Sequence, residues 1–192
     1  ERQGLCASPR SKLSSDGLLE MIKALGFVQL DSINTVARAH HMILFARNQT
    51  YRAKQLKNLL EKDRSLFEHW THDAAVIPTA FFPYWRHRFQ REQASLRDRW
   101  EERGREGFEK VLTEILAKVS RDGPTMSREV GSRRKKGTGW WDWHPEKTAL
   151  EYHWRTGNLA ITGRDGFQKI YDITMNVIPK FLREEKVSDE QF

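Results

Sequence analysis

The stretch Gly26-Phe27-Val28-Gln29-Leu30-Asp31-Ser32-Ile33 joins two predicted helices through a short extended segment. Before it, apolar side chains recur at the spacing of an amphipathic helix, at Leu18, Leu19, Ile22 and Leu25. Gly26 can adopt the left-handed conformation that ends such a helix. Side chains alternate along an extended chain, so Val28 and Leu30 share one face. Gln29 and Asp31 share the other face, and the sequence therefore predicts a strand with a polar pair.

The polar pair has two interpretations. An amide and a carboxylate side by side can hold a water molecule between them, because the carboxylate polarises the water and the amide fixes its position. That arrangement would be a small hydrolytic site at Gln29 and Asp31. Alternatively, Asp31 or Ser32 caps a helix that begins near Ile33, since both residue types accept hydrogen bonds from the first free amides of a helix. Taken alone, these residues favour the cap.

The rest of the first half is predicted to be helical with one strand. A second helix is expected over residues 34–45, with a packed face formed by Val36, Ala37, His40, Ile43 and Leu44. A third is expected over residues 53–62, and Leu66-Phe67-Glu68-His69-Trp70 alternates as a strand. Three short helices with extended segments around them suit a helix-turn-helix core.

The second half repeats this order after a junction at Arg121-Asp122-Gly123-Pro124-Thr125. An arginine-rich helix over residues 84–102 and an amphipathic helix from Phe108 precede the junction. A short helix, a helix over residues 145–155 and a hairpin around Gly163-Arg164-Asp165-Gly166 follow it. We therefore predict a mainly α protein with small β-hairpins, built as tandem winged-helix domains over residues 1–120 and 121–192.

The composition excludes some protein classes. The chain of 192 residues is 38% hydrophobic and 31% charged, as expected of a soluble globular protein, and no apolar run is long enough to span a membrane. A single cysteine rules out an internal disulfide and suits a cytoplasmic location. The net charge of +7 and the pI near 9.6 favour a polyanionic partner.

Basic and aromatic residues give candidate binding positions. The run Arg133, Arg134, Lys135 and Lys136 is predicted to bind a DNA backbone, and the tryptophans of Trp140-Trp141-Asp142-Trp143 mostly to pack a core. His69 and His72 lack the flanking ligands of a structural zinc site, so we predict no metal and no cofactor. His40 and His69 either satisfy buried groups or contact a phosphate or the substrate, and the spacing does not decide between these roles.

Several segments carry a family resemblance in chain order. They are Gln29-Leu30-Asp31, Arg38-Ala39-His40, Leu66-Phe67-Glu68-His69-Trp70, Gly139-Trp140-Trp141-Asp142-Trp143 and Gly163-Arg164-Asp165-Gly166-Phe167. This ordered set resembles the bacterial YcaQ-like family of DNA glycosylases, whose members carry a Gln-apolar-Asp or Gln-apolar-Gln catalytic motif. These winged-helix proteins remove alkylated bases and unhook interstrand crosslinks.

The resemblance implies a function and a set of site residues. It implies a monofunctional DNA glycosylase with Gln29 and Asp31 as catalytic residues, acting as a monomer on double-stranded DNA with alkylated or crosslinked guanine. We add Arg38, His40, His69 and Arg164 to the basic run as DNA contacts. Because members are about twice this length, the chain is expected to be an N-terminal fragment lacking a third winged helix and a C-terminal β-rich domain. The alternative is a non-enzymatic winged-helix DNA-binding protein such as a transcription regulator.

Overall fold

The computed structural model describes residues 10–101, 108–130 and 144–187. These residues form two compact units. The first contains residues 10–83 and 178–185, and the second contains the described residues between 84 and 177 together with 186–187. In this division the helix that begins at Phe108 packs against elements of the second unit. The winged-helix domains predicted over residues 1–120 and 121–192 stay a prediction.

Over residues 10–83, the first unit contains three α-helices and three strands. In chain order they are α1 (Ser15–Leu25), β1 (Val28–Gln29), α2 (Ala39–Arg47), α3 (Ala53–Glu61), β2 (Leu66–Trp70) and β3 (Ala74–Pro78), followed by a 3-10 helix at Thr79–Tyr84. The side chain of Ser14 accepts a hydrogen bond from the amide of Gly17 and caps α1. Gly26 ends α1 at a φ of 84°, as its position predicts.

The sheet of the first unit is antiparallel and has the strand order β1-β3-β2. One face packs on the three helices, and its core includes Leu18, Ile22, Val28, Leu44, Leu56, Leu59, Leu66 and Val76. Val28 lies opposite Val76, which in turn lies opposite Glu68. The buried carboxylate of Glu68 therefore belongs to the core face of the sheet.

The second helix differs from its prediction. It begins at Ala39 rather than near residue 34, and residues 30–38 form an irregular connection. His40 and Leu44 are buried as predicted, but Val36 is 90% exposed and Ile43 is 38% exposed. The helical spacing of these apolar residues is real, yet the chain before Ala39 makes other hydrogen bonds.

The second unit contains the same kinds of elements. They are α4 (Trp85–Glu101), α5 (Phe108–Asp122), β4 (Thr125–Met126), α6 (Ser127–Val130), α7 (Pro145–Arg155), β5 (Leu159–Asp165), β6 (Gln168–Ile173) and α8 (Thr174–Val177). A last helix, α9 (Lys180–Glu184), belongs to the first unit. The sheet is antiparallel with the order β4-β6-β5. Buried side chains of this unit include Leu112, Ile115, Val119, Leu150, Trp154, Leu159 and Tyr171.

The predicted hairpin is present as β5 and β6, which pair from Leu159 and Ile173 to Asp165 and Gln168. Gly166 in the turn has a φ of 60°, which suits glycine. The strands extend closer to the turn than predicted, with an irregularity between Ile161 and Gly163. The prediction of a mainly helical protein with small antiparallel sheets is confirmed. Among the described residues, no helix has the length and apolarity needed to cross a membrane.

Candidate active site

Gln29 lies at the end of β1, on the face of the sheet opposite the helical core. It is paired with Ala75, which is paired on its other side with His69, so the three side chains form one row across the sheet. Ala75 and His69 are buried, whereas Gln29 is partly exposed. Within the described part of the chain, the Gln29 carboxamide has no hydrogen-bond partner. Its donors and acceptor are therefore available to a ligand.

Asp31 follows at the end of the sheet. The amide of Leu30 donates to the carbonyl of Ala74 at 2.8 Å, which keeps the chain against β3 up to this point. Oδ1 of Asp31 then accepts a hydrogen bond from the amide of Ile33 at 2.8 Å. The carboxylate is partly exposed, and among the described residues no group donates to Oδ2. One carboxylate oxygen thus fixes the side chain and the other is open.

The hydrogen bond from Ile33 is a local turn and not a helix cap. The helix that follows begins at Ala39, where Arg38 takes the cap position and makes no side-chain cap bond. The prediction that Asp31 or Ser32 caps a helix near Ile33 was wrong, because the chain forms an Asx-type turn there instead. Asp31 is therefore not explained by the start of α2.

Two residues of the Arg38-Ala39-His40 segment hold the backbone of Asp31. Nη1 of Arg38 donates to the carbonyl oxygens of Asp31 and Ser32. Nδ1 of His40 accepts from the amide of Asp31 at 3.3 Å, which requires the neutral imidazole with its proton on Nε2. These contacts fix the position and direction of the Asp31 backbone. In this conformation both residues act on Asp31, and their predicted contacts with DNA stay a prediction.

A second histidine and a tyrosine extend this support, and the sequence did not single out the tyrosine. The ring of His41 lies 4.2 Å from that of His40, and Nδ1 of His41 is 2.7 Å from Oη of Tyr51. Burial, and then the charge of Arg38, lower the pKa of His41 below its ordinary value of 6.5. Burial raises the pKa of Tyr51, so the phenol keeps its proton and is a neutral hydrogen-bond partner for His41. The only sequence feature that pointed to Tyr51 was its position just before α3.

Gln29 and Asp31 can together bind and polarise one water molecule. Gln29 ends β1 and Asp31 follows two residues later, and both side chains are partly exposed. An open carboxylate oxygen at one end accepts a proton, and a carboxamide at the other end accepts or donates a hydrogen bond. In the described ranges, no cluster of three His, Cys, Asp or Glu side chains could hold a metal ion.

The remaining predicted contacts lie elsewhere. His69 is 3% exposed and its Nδ1 lies 3.4 Å from the carbonyl of Trp70, so its imidazole faces the protein interior in this conformation. Arg164 lies in the hairpin of the second unit, where its guanidinium covers the Phe167 ring at 4.3 Å and donates to the Phe167 carbonyl. The run Arg133 to Lys136 lies outside the described residues, as do the tryptophans of Trp140-Trp141-Asp142-Trp143. The DNA-binding roles of all these residues stay predictions.

Comparison with known proteins supplies the family. No solved structure matches the chain. The family described as DNA glycosylase AlkZ-like matches residues 22–191, which include Gln29, Asp31 and most of both compact units. A match over most of the chain is consistent with the ordered motifs in the sequence. The chain belongs to the AlkZ-like DNA glycosylase family.

Proposed function

We propose that this protein is a monofunctional DNA glycosylase that hydrolyses the N-glycosidic bond of N7-alkylated purines. The observation that carries the proposal lies at the partly exposed end of a sheet. There, two residues apart, the Gln29 carboxamide has no partner among the described residues and Asp31 has one carboxylate oxygen to which no described group donates. Family membership supplies the class of reaction. The rigid support of the Asp31 backbone by Arg38 and His40 supports a role that needs a fixed carboxylate.

The chemistry suits a site of two residues. An N7-alkylated purine carries a positive charge, which the electron pair of the breaking C1′–N9 bond neutralises as the base leaves. The sugar becomes oxocarbenium-like, and a carboxylate stabilises that charge. Gln29 orients water towards C1′, and Asp31 takes a proton from that water as the new C–O bond forms. The products are the free base and an abasic sugar, and no general acid is needed for the leaving group.

Water is the nucleophile in this proposal, which makes the enzyme monofunctional. A bifunctional glycosylase attacks C1′ with an amine and later cleaves the strand through the resulting Schiff base. The segment between Lys23 and Lys54, which contains Gln29 and Asp31, holds no lysine. We therefore expect the DNA strand to stay intact after the base is released.

We further propose that both units are winged-helix motifs. Each has a helix, a strand, two more helices and a hairpin, and in each sheet the first strand lies beside the third. This is the order that a winged helix requires. A basic chain of this architecture is suited to duplex DNA, and we include interstrand crosslinks between alkylated guanines among its substrates.

The test is the release of 7-methylguanine from a duplex, measured by mass spectrometry for the wild-type chain and for Gln29→Ala and Asp31→Asn. Gln168→Ala is a matched control, because Gln168 is an exposed glutamine at the start of a strand in the second unit. We expect release by the wild type and the control and strong loss in the two site variants. The same proteins are then tested on a nitrogen-mustard crosslink by denaturing electrophoresis.

Three controls decide the interpretation. Circular dichroism must show that both site variants fold. Strand breaks should appear only after alkali, since a break without alkali would contradict the monofunctional mechanism. If the wild type binds the duplex but releases no base from either substrate, the glycosylase proposal fails and DNA binding without chemistry remains.

A further inference from the structure

Exposed apolar side chains are concentrated beside the candidate active site. Among the described residues, nine large hydrophobic side chains are exposed, and six of them fall within one short segment: Phe27, Ile33, Val36, Met42, Ile43 and Phe45. Single exposed apolar residues are common on protein surfaces, but a concentration of them marks a binding surface. This concentration surrounds Asp31 in the sequence.

Two of these side chains lie on the irregular connection between Asp31 and α2, which we call the wedge loop (residues 32–37). Val36 is 90% exposed and Ile33 is 69% exposed. The amide of Ile33 donates to Oδ1 of Asp31, so the backbone of Ile33 lies next to that carboxylate. Both residues are β-branched and have few rotamers, so little side-chain entropy is lost when they are buried.

The wedge loop is fixed at its ends. Arg38 donates to the carbonyl oxygens of Asp31 and Ser32, and His40 accepts from the amide of Asp31. The two ends of the wedge loop are therefore held together, with Ile33 and Val36 exposed between them.

The chemistry of the loop fits duplex DNA. From Ser32 to Ala37 the loop contains no acidic residue, and the chain as a whole carries a net charge of +7, so a polyanion meets no repulsion from the loop itself. Proteins that bend or open a duplex insert apolar side chains between base steps. Opening a step would bring the otherwise recessed C1′ atom of a damaged nucleotide towards Asp31.

We propose that Ile33 and Val36 enter the base stack of duplex DNA next to the damaged nucleotide and open it for attack. The inference rests on the proposed glycosylase function and adds to it a wedge that is needed only for stacked substrates. It also gives a reason for the long exposed connection before α2.

The experiment compares an Ile33→Ala/Val36→Ala double variant with Phe181→Ala. Phe181 is a matched control, because it is 69% exposed, like Ile33, but lies on α9 in the same unit.

The first measurement is single-turnover release of 7-methylguanine from a duplex and from the same strand alone. We expect the double variant to be about 10- to 100-fold slower on the duplex. On the single strand, which has no partner strand and a weaker stack, we expect a change of less than about twofold. The control should match the wild type on both.

The second measurement reports on the stack directly. A 2-aminopurine placed beside the 7-methylguanine fluoresces more strongly when its neighbour is unstacked. It is measured with Asp31→Asn as background, since the amide slows release and its oxygen can still accept from the Ile33 amide. We expect fluorescence to rise on binding, and the rise to disappear when Ile33 and Val36 are also replaced.

The outcomes separate the wedge from the glycosylase activity. If the wild type releases no base from either substrate, the proposed function fails and the fluorescence alone decides the wedge. If the wild type is active and the double variant behaves like Phe181→Ala on the duplex, the wedge is refuted. An equal loss on duplex and single strand would also refute it. The wedge would also be refuted if the double variant changed only self-association, measured by sedimentation velocity. The apolar surface would then be an interface between copies of the chain.

Discussion

The two units share an order of elements and differ in one connection. In the first unit β1 ends at Gln29 and α2 begins at Ala39, so residues 30–38 lie between them. In the second unit β4 ends at Met126 and α6 begins at the next residue, Ser127. Asp31 and the wedge loop both lie in the long connection, directly after Gln29. Within a shared topology, the added segment is where we place the function.

The carboxylates near these two connections also differ. Oδ1 of Asp31 bonds an amide in a loop and Oδ2 is left open within the described residues. In the second unit, Oε2 of Glu129 accepts from the amide of Met126 at 2.6 Å, which closes the start of α6 in the manner of a capping box. The Asp31 carboxylate is fixed through one oxygen and open at the other among the described residues, whereas the Glu129 carboxylate is engaged in local structure. This contrast supports our proposal of a catalytic role for Asp31 and a structural one for Glu129.

The largest expected effect comes from removing each carboxylate in turn. Asp31→Asn should lower kcat/KM for release of 7-methylguanine by about 10²- to 10³-fold, because a preorganised charge is lost from the transition state. Its stability should change little, since the amide oxygen still accepts from Ile33. Glu129→Gln should keep kcat/KM within about twofold and lose at most about 1 kcal/mol of unfolding free energy. Single-turnover kinetics and chemical denaturation of both variants test this prediction. Equal losses of activity would contradict the proposed difference between the carboxylates of Asp31 and Glu129.

The next effect concerns two glycines that follow helices, one in each unit. Gly26 after α1 and Gly157 after α7 both have φ above 80°. A Cβ at Gly26 would meet nothing within 4 Å, whereas at Gly157 it would lie 2.6 Å from Cδ2 of Phe89. Gly26→Ala should therefore lower the free energy of unfolding by about 1–2 kcal/mol, from the backbone conformation alone. Gly157→Ala adds overpacking and should lower it by about 2–4 kcal/mol.

Chemical denaturation followed by circular dichroism measures this difference. The double variant Gly157→Ala/Phe89→Leu should recover part of the loss at Gly157, because the smaller side chain gives the new Cβ room. If Gly26→Ala and Gly157→Ala lower the free energy of unfolding equally, the close contact with Phe89 contributes nothing to the loss at Gly157.

A smaller effect is expected at the buried histidine that supports Asp31. His40→Leu removes the acceptor for the Asp31 amide and should slow base release about tenfold, the size of one lost hydrogen bond. His40→Asn places an amide oxygen near the position of Nδ1 and should recover much of the rate. Stability must be measured in parallel, because a buried polar residue is replaced. Loss of stability without any difference in rate between the Leu and Asn variants would make His40 a structural residue only.

The parts of the fold that local signals specify could be predicted from the sequence. The glycine after α1, the helical spacing before it and the turn of the β5–β6 hairpin are each set by a few neighbouring residues. The polar pair at Gln29 and Asp31 also follows from strand alternation and from the family motif. Such features need no knowledge of distant contacts, because the backbone conformation of one or two residues decides them.

The connection before α2 could not be predicted in this way. The spacing of Val36, Ala37, His40 and Leu44 satisfies a helix, but the amide of Ile33 bonds to Asp31 and the Arg38 guanidinium bonds to loop carbonyls. These side-chain hydrogen bonds compete with the backbone hydrogen bonds of a helix, and helix propensity does not account for them. The contact of His41 with Tyr51 and the row of Gln29, Ala75 and His69 depend on tertiary pairing, which no single stretch encodes.

The smallest expected effect is a pH dependence of stability from a buried histidine in the second unit. Nε2 of His153 donates to the carbonyl of Leu112 at 2.9 Å, and Nδ1 accepts from Nδ2 of Asn158 at 3.1 Å, so the folded protein holds a neutral ring. Burial lowers the pKa of His153 below its unfolded value of 6.5, despite the opposing bond to Leu112. The unfolded chain therefore binds more protons below about pH 6.5, and stability is lost as the pH falls from there through the folded pKa.

One proton gives a slope of at most about 1.4 kcal/mol per pH unit, so His153→Gln should flatten the pH dependence of unfolding by less than that. The flattening should be confined to the range below about pH 6.5. His41 in the first unit has a pKa lowered in the same direction and should keep part of the slope in the variant. Denaturation between pH 5.5 and 8 of the wild type, His153→Gln and His41→Gln separates the two contributions. If His41→Gln removed the whole slope and His153→Gln none of it, the acid sensitivity would belong to the unit with the candidate active site. Base release would then be expected to fall with stability over the same pH range.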